Sequence, residues 1–294
     1  AMRRNVLILI LLISVVGISA QRISIKKTYA INGQTKNTAY YPVLSQDGQQ
    51  LLFTSENYVG LSHYDFGTAT QTKVSEVVGA GYEPSFDNNN RTILYKQETR
   101  VDGRRYKSLM SYDQSLKRSK RLIAPKRRMT DVKAVQQQRG LKKSSTAIVR
   151  SEDLQVVVYR GTKRTVLEPV GKVAGYIWVS LSPNGKMILF VAAGKGAFVS
   201  DLNGRILASL GNLSAPVWYN DNIVLGAEEK DNGDFITAST IVAVSLNGKM
   251  KQRLTPAYLI AMNPTASADA GRIAYNTQNG MIYVMDVEVE DNAK

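Results

Sequence analysis

YYPVLSQDGQQLLFTS occupies residues 40–55, and its layout returns as GYEPSFDNNNRTILYK at residues 81–96 and as GYIWVSLSPNGKMILFVA at residues 175–192. Each copy runs an aromatic residue, a short strand-forming stretch, a tight polar turn and an apolar strand. That order spells a β-hairpin, because Asp47-Gly48 and Asn184-Gly185 supply the positive φ angles that a tight turn requires. The turns begin near Ser45, Ser85, Ser182, Asn220 and Ser267, and a degenerate unit near Gln137 completes one register. The mean spacing is then about 44 residues, in the range of propeller blades.

Six equivalent apolar strands follow the turns: QLLFTS, RTILYK, TAIVRS, MILFVA, NIVLGA and RIAYNT. A second strand follows each of them, and four of these end near an acid, Asp65, Asp113, Asp201 or Asp286. Outer strands come next in five units (TQTKVS, KRLIAP, RTVLEP, RILASL and KQRLTP), while the sixth unit stops without one. RISIKKTYAI, residues 22–31, alternates as a strand should and can supply the missing one. The predicted fold is all-β, a six-bladed β-propeller whose N-terminal strand closes the last blade and so leaves no open edge between first and last blades.

The units resemble the WD40-like (PD40) repeats of the exported bacterial TolB-type propellers, whose pattern is roughly proline, an aromatic residue, Ser-Pro-Asp-Gly, an apolar strand, then a strand ending in Asp. PVLSQDGQQLLFTS and WVSLSPNGKMILFVA carry the likeness best, and it extends over about residues 22–290. The third unit, VKAVQQQRGLKKSSTAIVRS, departs from it by lacking the Ser-Pro-Asp-Gly turn. The resemblance implies a fold far more than a function.

With 294 residues, 44% of them hydrophobic and 21% charged, the chain can bury a full core, which excludes a disordered or collagen-like polymer. Residues 1–20 read differently from the remainder. After Ala1, which reads as a cloning remnant, Arg3 and Arg4 form a cationic head, Val6 to Ile13 is unbroken apolar sequence, and VVGISA ends in small residues. This is the layout of a cleavable secretory leader, with the cut expected between Ala20 and Gln21 and residues 21–294 forming the propeller. The apolar run falls short of the roughly 20 residues that span hydrocarbon, so no stable transmembrane anchor is expected after cleavage. The expected destination is the periplasm, with the extracellular space as the other compartment such a leader serves.

There is no cysteine, so stability in an oxidising compartment rests on packing and not on disulfides. Net charge is +14, and subtracting the two leader arginines leaves +12. Such a surface attracts anionic partners. Export argues against nucleic acid and favours an envelope protein or peptide of acidic character, bound by a monomer.

Two sets of residues stand out for binding. Tyr41, Tyr82, Glu83, Tyr176, Trp178, Trp218 and Asn263 sit at the entries of the units, where innermost strands begin beside the central channel, and channel mouths are where ligands bind. A basic docking loop is read from residues 117–143, with eleven Lys or Arg against one Asp, and Lys117, Arg118, Lys120, Arg121, Lys126, Arg127 and Arg128 lead it. It spans the outer strand of the second unit and the start of the third, and is either a solvated edge or a docking surface.

No catalytic residue is assigned. His63 is the single histidine, lies in a strand pattern, and has no Gly-x-Ser-x-Gly elbow to partner it. The acidic run Glu228, Glu229, Asp231 and Asp234 has Lys230 inside it and matches no calcium loop, so it reads as a solvated hairpin. No metal and no cofactor is expected. The functional expectation is a non-enzymatic binding scaffold of the cell envelope. The alternative is a lyase, hydrolase or lactonase of the same fold acting on a carbohydrate or sugar acid with a divalent metal.

Overall fold

A computed structural model describes residues 21–32, 38–129 and 147–291. The leader at residues 1–20 and the degenerate turn near Gln137 lie outside them. The first strand, β1 (Gln21–Ala30), belongs to the last sheet. Blade one follows with β2 (Tyr40–Leu44), β3 (Gln50–Thr54), β4 (Val59–Asp65) and β5 (Thr70–Val78). Blade two is β6 (Ser85–Phe86), β7 (Thr92–Val101), β8 (Arg104–Asp113) and β9 (Arg118–Lys126). In blade three the described strands are β10 (Ala147–Glu152), β11 (Gln155–Arg160) and β12 (Lys163–Leu167). Blade four is β13 (Tyr176–Leu181), β14 (Met187–Ala192), β15 (Gly196–Asp201) and β16 (Ile206–Gly211). Blade five is β17 (Ser214–Trp218), β18 (Ile223–Asp231), β19 (Ile236–Ser245) and β20 (Lys251–Arg253). β21 (Ala261–Ser267), β22 (Arg272–Thr277) and β23 (Ile282–Asp291) make blade six, with β1 as its fourth strand. The protein is a six-bladed β-propeller.

Each second strand is apolar at successive positions because a blade is sandwiched between two others and both its faces are buried. In β14 the side chains of Ile188, Phe190 and Ala192 join the cluster shared with blade three, while Leu189 and Val191 join the one shared with blade five. Likewise Leu52 of β3 packs towards blade two, and Leu51 and Phe53 pack towards blade six. The core is thus a set of wedges between blades. Ile188, Leu189 and Phe190 are fully buried, each worth about 1.5–3 kcal/mol against exposure.

The turns are locked by one repeated chemistry. Ser45 Oγ donates to Asp47 Oδ1 (2.6 Å) and accepts from the backbone N–H of Gln50 (3.0 Å), while Gly48 takes φ of +64°. Ser182 does the same with Asn184 (2.8 Å) and the N–H of Met187 (2.9 Å). The lock recurs at Ser245 with Asn247 and Met250 between β19 and β20, so the motif marks a hairpin and not a fixed place in the blade. Blade two differs from the sequence reading: Ser85 is a buried residue of β6, and the turn opens two residues later at Asp87, whose Oδ1 accepts from the N–H groups of Arg91 and Thr92. Asp65, Asp113 and Asp201 end their strands by accepting backbone N–H bonds from the following turn. This is the Asx-turn role that an acid there performs.

Closure depends on β1. It pairs antiparallel with β23 from Gln21↔Asp291 to Ala30↔Tyr283, with one irregularity between Ile25 and Lys27. Ile23, 1% exposed, enters the core between blades five and six. The side-chain amide of Gln252 on β20 then bridges to it: Nε2 donates to the Ile23 carbonyl (2.6 Å), and the Ile23 N–H donates to Oε1 (3.0 Å). Ile23→Ala should lower the urea-derived unfolding free energy by about 2–5 kcal/mol, the cost of a cavity in a packed core. An unchanged midpoint would contradict this closure.

Candidate binding face and its inter-blade cavity

Strands alternate in direction within each blade, so one face of the disc collects the starts of the innermost strands, the second-to-third strand hairpins and the connections between blades. We call it the upper face. Tyr41, Glu83, Trp178, Ala215 and Asn263 lie there at equivalent positions of five blades, and all five have left-handed backbone, with φ between 46° and 53°. The ladder shifts register just after four of them, in β2, β13, β17 and β21. A non-glycine residue held in this region costs about 1–2 kcal/mol, and such outliers cluster where backbone is held for function. Proline follows four of the five, at Pro42, Pro84, Pro216 and Pro264, each three residues before its turn. Proline lacks the N–H a ladder would use, which suits a position where pairing is interrupted.

The sequence-derived candidates divide. Tyr41, Tyr82, Glu83, Trp178 and Asn263 are on the upper face. Tyr176 begins its strand there but is buried, its hydroxyl donating to the Gly171 carbonyl (2.7 Å) and its ring meeting Phe190 edge-on. It offers no surface. Trp218 ends β17 and therefore sits at the opposite end of its strand, half-buried against the cluster between blades four and five. Asn263 donates through Nδ2 to Asn276 Oδ1 (3.0 Å), which also accepts the Tyr41 N–H (3.1 Å), so it ties blade six to blade one.

Around Tyr41 and Tyr82 the structure adds residues that pattern reading missed. Tyr58, in the β3–β4 turn with φ of +58°, stacks on Tyr41 (ring centroids 4.5 Å) and meets Tyr82 edge-on (5.1 Å). Burial raises the Tyr58 phenol well above its ordinary range, and its hydrogen bond with Tyr41 adds to this, so it remains a neutral hydroxyl. Two ammonium groups, Lys96 and Lys107, lie 5.2 Å from the Tyr82 ring centroid. Lys96 is 6% exposed and pairs with Glu83 at 3.4 Å. A cavity of about 450 Å³ opens beside them, between the blade-one turn and the long β7–β8 hairpin.

The exposed apolar side chains are distributed unevenly. Tyr82, Val101, Leu154, Trp178, Phe235 (71% exposed) and Tyr258 (83%) are all in turns, connections or strand ends of the upper face. At the lower face the exposed large apolar side chains among the described residues are Leu116 in its turn and Ile206 and Leu207 at the start of β16. An apolar surface of this kind, set among polar groups, is what marks interaction sites.

The basic run is an edge strand through Lys126 rather than a loop. Arg118, Lys120, Arg121 and Lys126 lie on β9, paired to β8 from Arg118↔Asp113 to Lys126↔Lys107; Lys117 precedes it in the turn and Arg127 and Arg128 follow it. All seven are exposed, and among the described residues none has an ion pair. Charge on an outer strand keeps that edge from pairing with another sheet. Residues 130–143 of the run lie outside the described residues.

His63 is buried on β4, its Nε2 2.8 Å from Gln50 Oε1 and its ring edge-on to Phe86 of blade two. It packs between blades and is remote from the upper rim. The acidic run forms the β18–β19 hairpin with its carboxylates divided: Glu228 pairs with Lys251, and Glu229 accepts from Ser214 Oγ (2.6 Å). Among the described residues no three His, Cys, Asp or Glu side chains gather as metal ligands would, and no helix is long and apolar enough to cross a membrane.

No family model matches the chain, and no curated protein matches it. Solved structures do. The tricorn protease superposes with a TM-score of 0.52 at 15% identity, over 86% of this chain and 26% of that one. An oligogalacturonate lyase from Vibrio parahaemolyticus gives 0.52 at 8% identity, over 91% and 97%. TolB from Acinetobacter baumannii gives 0.49 at 18% identity, over 78% and 57%. The chain spans about a quarter of the tricorn protease chain and little over half of TolB. What is shared at these identities is the propeller fold.

Burial depresses the His63 pKa below its ordinary value of 6.5, partly opposed by Asp65. The unfolded chain therefore takes up a proton that the folded chain resists, and stability is lost as pH falls below about 6.5. The melting temperature should decline from pH 7 to 5.5, a window in which ordinary carboxylates stay ionised, and His63→Gln should flatten that decline. Equal slopes for the two proteins would refute it.

Proposed function

We propose that the protein is a non-enzymatic propeller of the periplasm that binds an envelope protein or peptide on its upper face. The observation that carries this reading is the predominance of exposed apolar side chains on the upper face, on five of the six blades, around a rim of left-handed residues. Rigid aromatic side chains on fixed backbone provide contact area with little entropy to lose, which is the property of binding hot spots. Export is supported by the leader pattern of residues 1–20. The cations of β9 support an acidic partner, since an unpaired row of charge accelerates encounter and makes it salt-sensitive.

A metal-dependent enzyme acting on a carbohydrate is the second reading: an oligogalacturonate lyase shares the fold, and a rise in melting temperature on adding a divalent ion would favour it.

Capture from envelope extracts tests the binding face. Trp178→Asn keeps a residue that tolerates positive φ, and together with Phe235→Ser it should reduce recovery of the partner about tenfold or more. Leu116→Ser, on the opposite face, should leave recovery unchanged. Retained capture by the Trp178/Phe235 variant, with melting temperature preserved, would overturn the proposal.

A further inference from the structure

The cavity between blades one and two has a charge pattern of its own. Lys96, Arg100, Arg105 and Lys107 line it together with one carboxylate, Glu98, and a second, Glu83, lies behind Lys96. Arg105 Nε is taken up by Glu98 at 2.9 Å. Among the described residues Glu83, at 3.4 Å, is the one carboxylate paired with Lys96. Among the described residues Lys107 and Arg100 have no carboxylate at ion-pair distance, and Lys107 shares the Tyr82 ring with Lys96. Four cations thus meet two carboxylates: the buried one, Lys96, is paired with Glu83, and the excess is carried by Arg100, which is exposed, and Lys107, which is half-buried. That excess attracts an anion supplied from outside.

The rim narrows the choice of anion. Val78 lines the cavity and is exposed, so an apolar side chain next to the charge is also accommodated. The aromatic rings are engaged already, Tyr82 by two ammonium groups and Tyr58 by the face of Tyr41. A sugar would want an open ring face to stack on. A carboxylate on a flexible side chain needs only the cations.

We propose that this cavity receives a glutamate or aspartate side chain of an acidic peptide segment, with an apolar residue beside it, as the anchor of the partner. The inference rests on the upper face being the binding surface. Lys107 and Arg100 reach the carboxylate from the β7–β8 hairpin, and Lys96 meets it from below.

The test uses the full chain and fluorescence anisotropy with a capped pentapeptide, Gly-Glu-Leu-Glu-Gly, its glutamine counterpart, and trigalacturonate as competitor. The glutamate peptide should bind, and the glutamine peptide should bind at least about tenfold more weakly. The Arg100→Gln/Lys107→Gln variant, altered on a hairpin away from the core and checked by thermal melt, should lose about as much. Lys163→Gln/Lys249→Gln, exposed at lower-face turns, should stay within about twofold. Equal binding of the two peptides, binding retained by the hairpin variant, an equal loss in the lower-face variant, or no peptide binding at all would overturn the assignment. So would trigalacturonate that occupies the cavity more tightly than the peptide. Should the Trp178/Phe235 variant lose its partner while the peptide fails to bind, this inference alone falls; a charge-dependent peptide site beside an indifferent Trp178/Phe235 variant condemns the reading of the face instead.

Discussion

A ring of sheets has no finished core until its last member meets its first, and here that meeting depends on the pairing of β1 with β23. Without β1, the ladder of β23 is an open edge and the cluster between blades five and six loses Ile23. The amide of Gln252 adds a clamp across the blade boundary, using both its donor and its acceptor on one residue's backbone. Asn32 continues it, donating to the Gly280 carbonyl and accepting from the Ile282 N–H, so the chain leaves β1 tied to blade six. The wedge between blades six and one, where Leu51 and Phe53 meet Ala274 and Val284, likewise joins the two ends of the chain. The Gln252–Ile23 clamp joins residues about 230 positions apart, which is where loop closure costs most entropy.

The rim inherits its rigidity from that closure. Left-handed backbone at Tyr41, Trp178 and Ala215 persists only where surrounding contacts over-determine it. The contacts are visible: the Tyr41 N–H is held by Asn276 of blade six, and its ring by Tyr58. Side chains fixed in this way present a preorganised surface, and little ordering is left to be done when a partner arrives. The lower face differs, with its turns closed on themselves by Ser, Asp and Asn side chains.

The fold was legible because its signals are local and repeated. Asp47-Gly48 and Asn184-Gly185 announce turns, the runs after them are apolar at every position because both blade faces are buried, and RISIKKTYAI alternates with one core residue, Ile23, that finds its pocket. Reading failed where the signal was equivocal. In blade two Ser85-Phe86-Asp87 imitates the Ser45-Gln46-Asp47 turn of blade one, although Asp87 is the residue that opens the turn. Tyr176 and Trp218 look like their exposed counterparts in composition, but burial is decided by which neighbouring blade they face, and composition does not carry that. Tyr58, Lys96 and Lys107 meet only because a short turn of blade one leans on a long hairpin of blade two. No spacing predicts that meeting. Ala215 was within reach, since Ala215-Pro216 stands three residues ahead of its turn as Tyr41-Pro42 does.

Native-state hydrogen exchange tests closure most directly. If the ring is one cooperative unit, amides of β1 paired to β23 exchange with the same opening free energy and denaturant dependence as those of β14 and β18 in the interior. Exchange of β1 by a separate, low-energy opening, while β14 and β18 stay protected, would contradict the account.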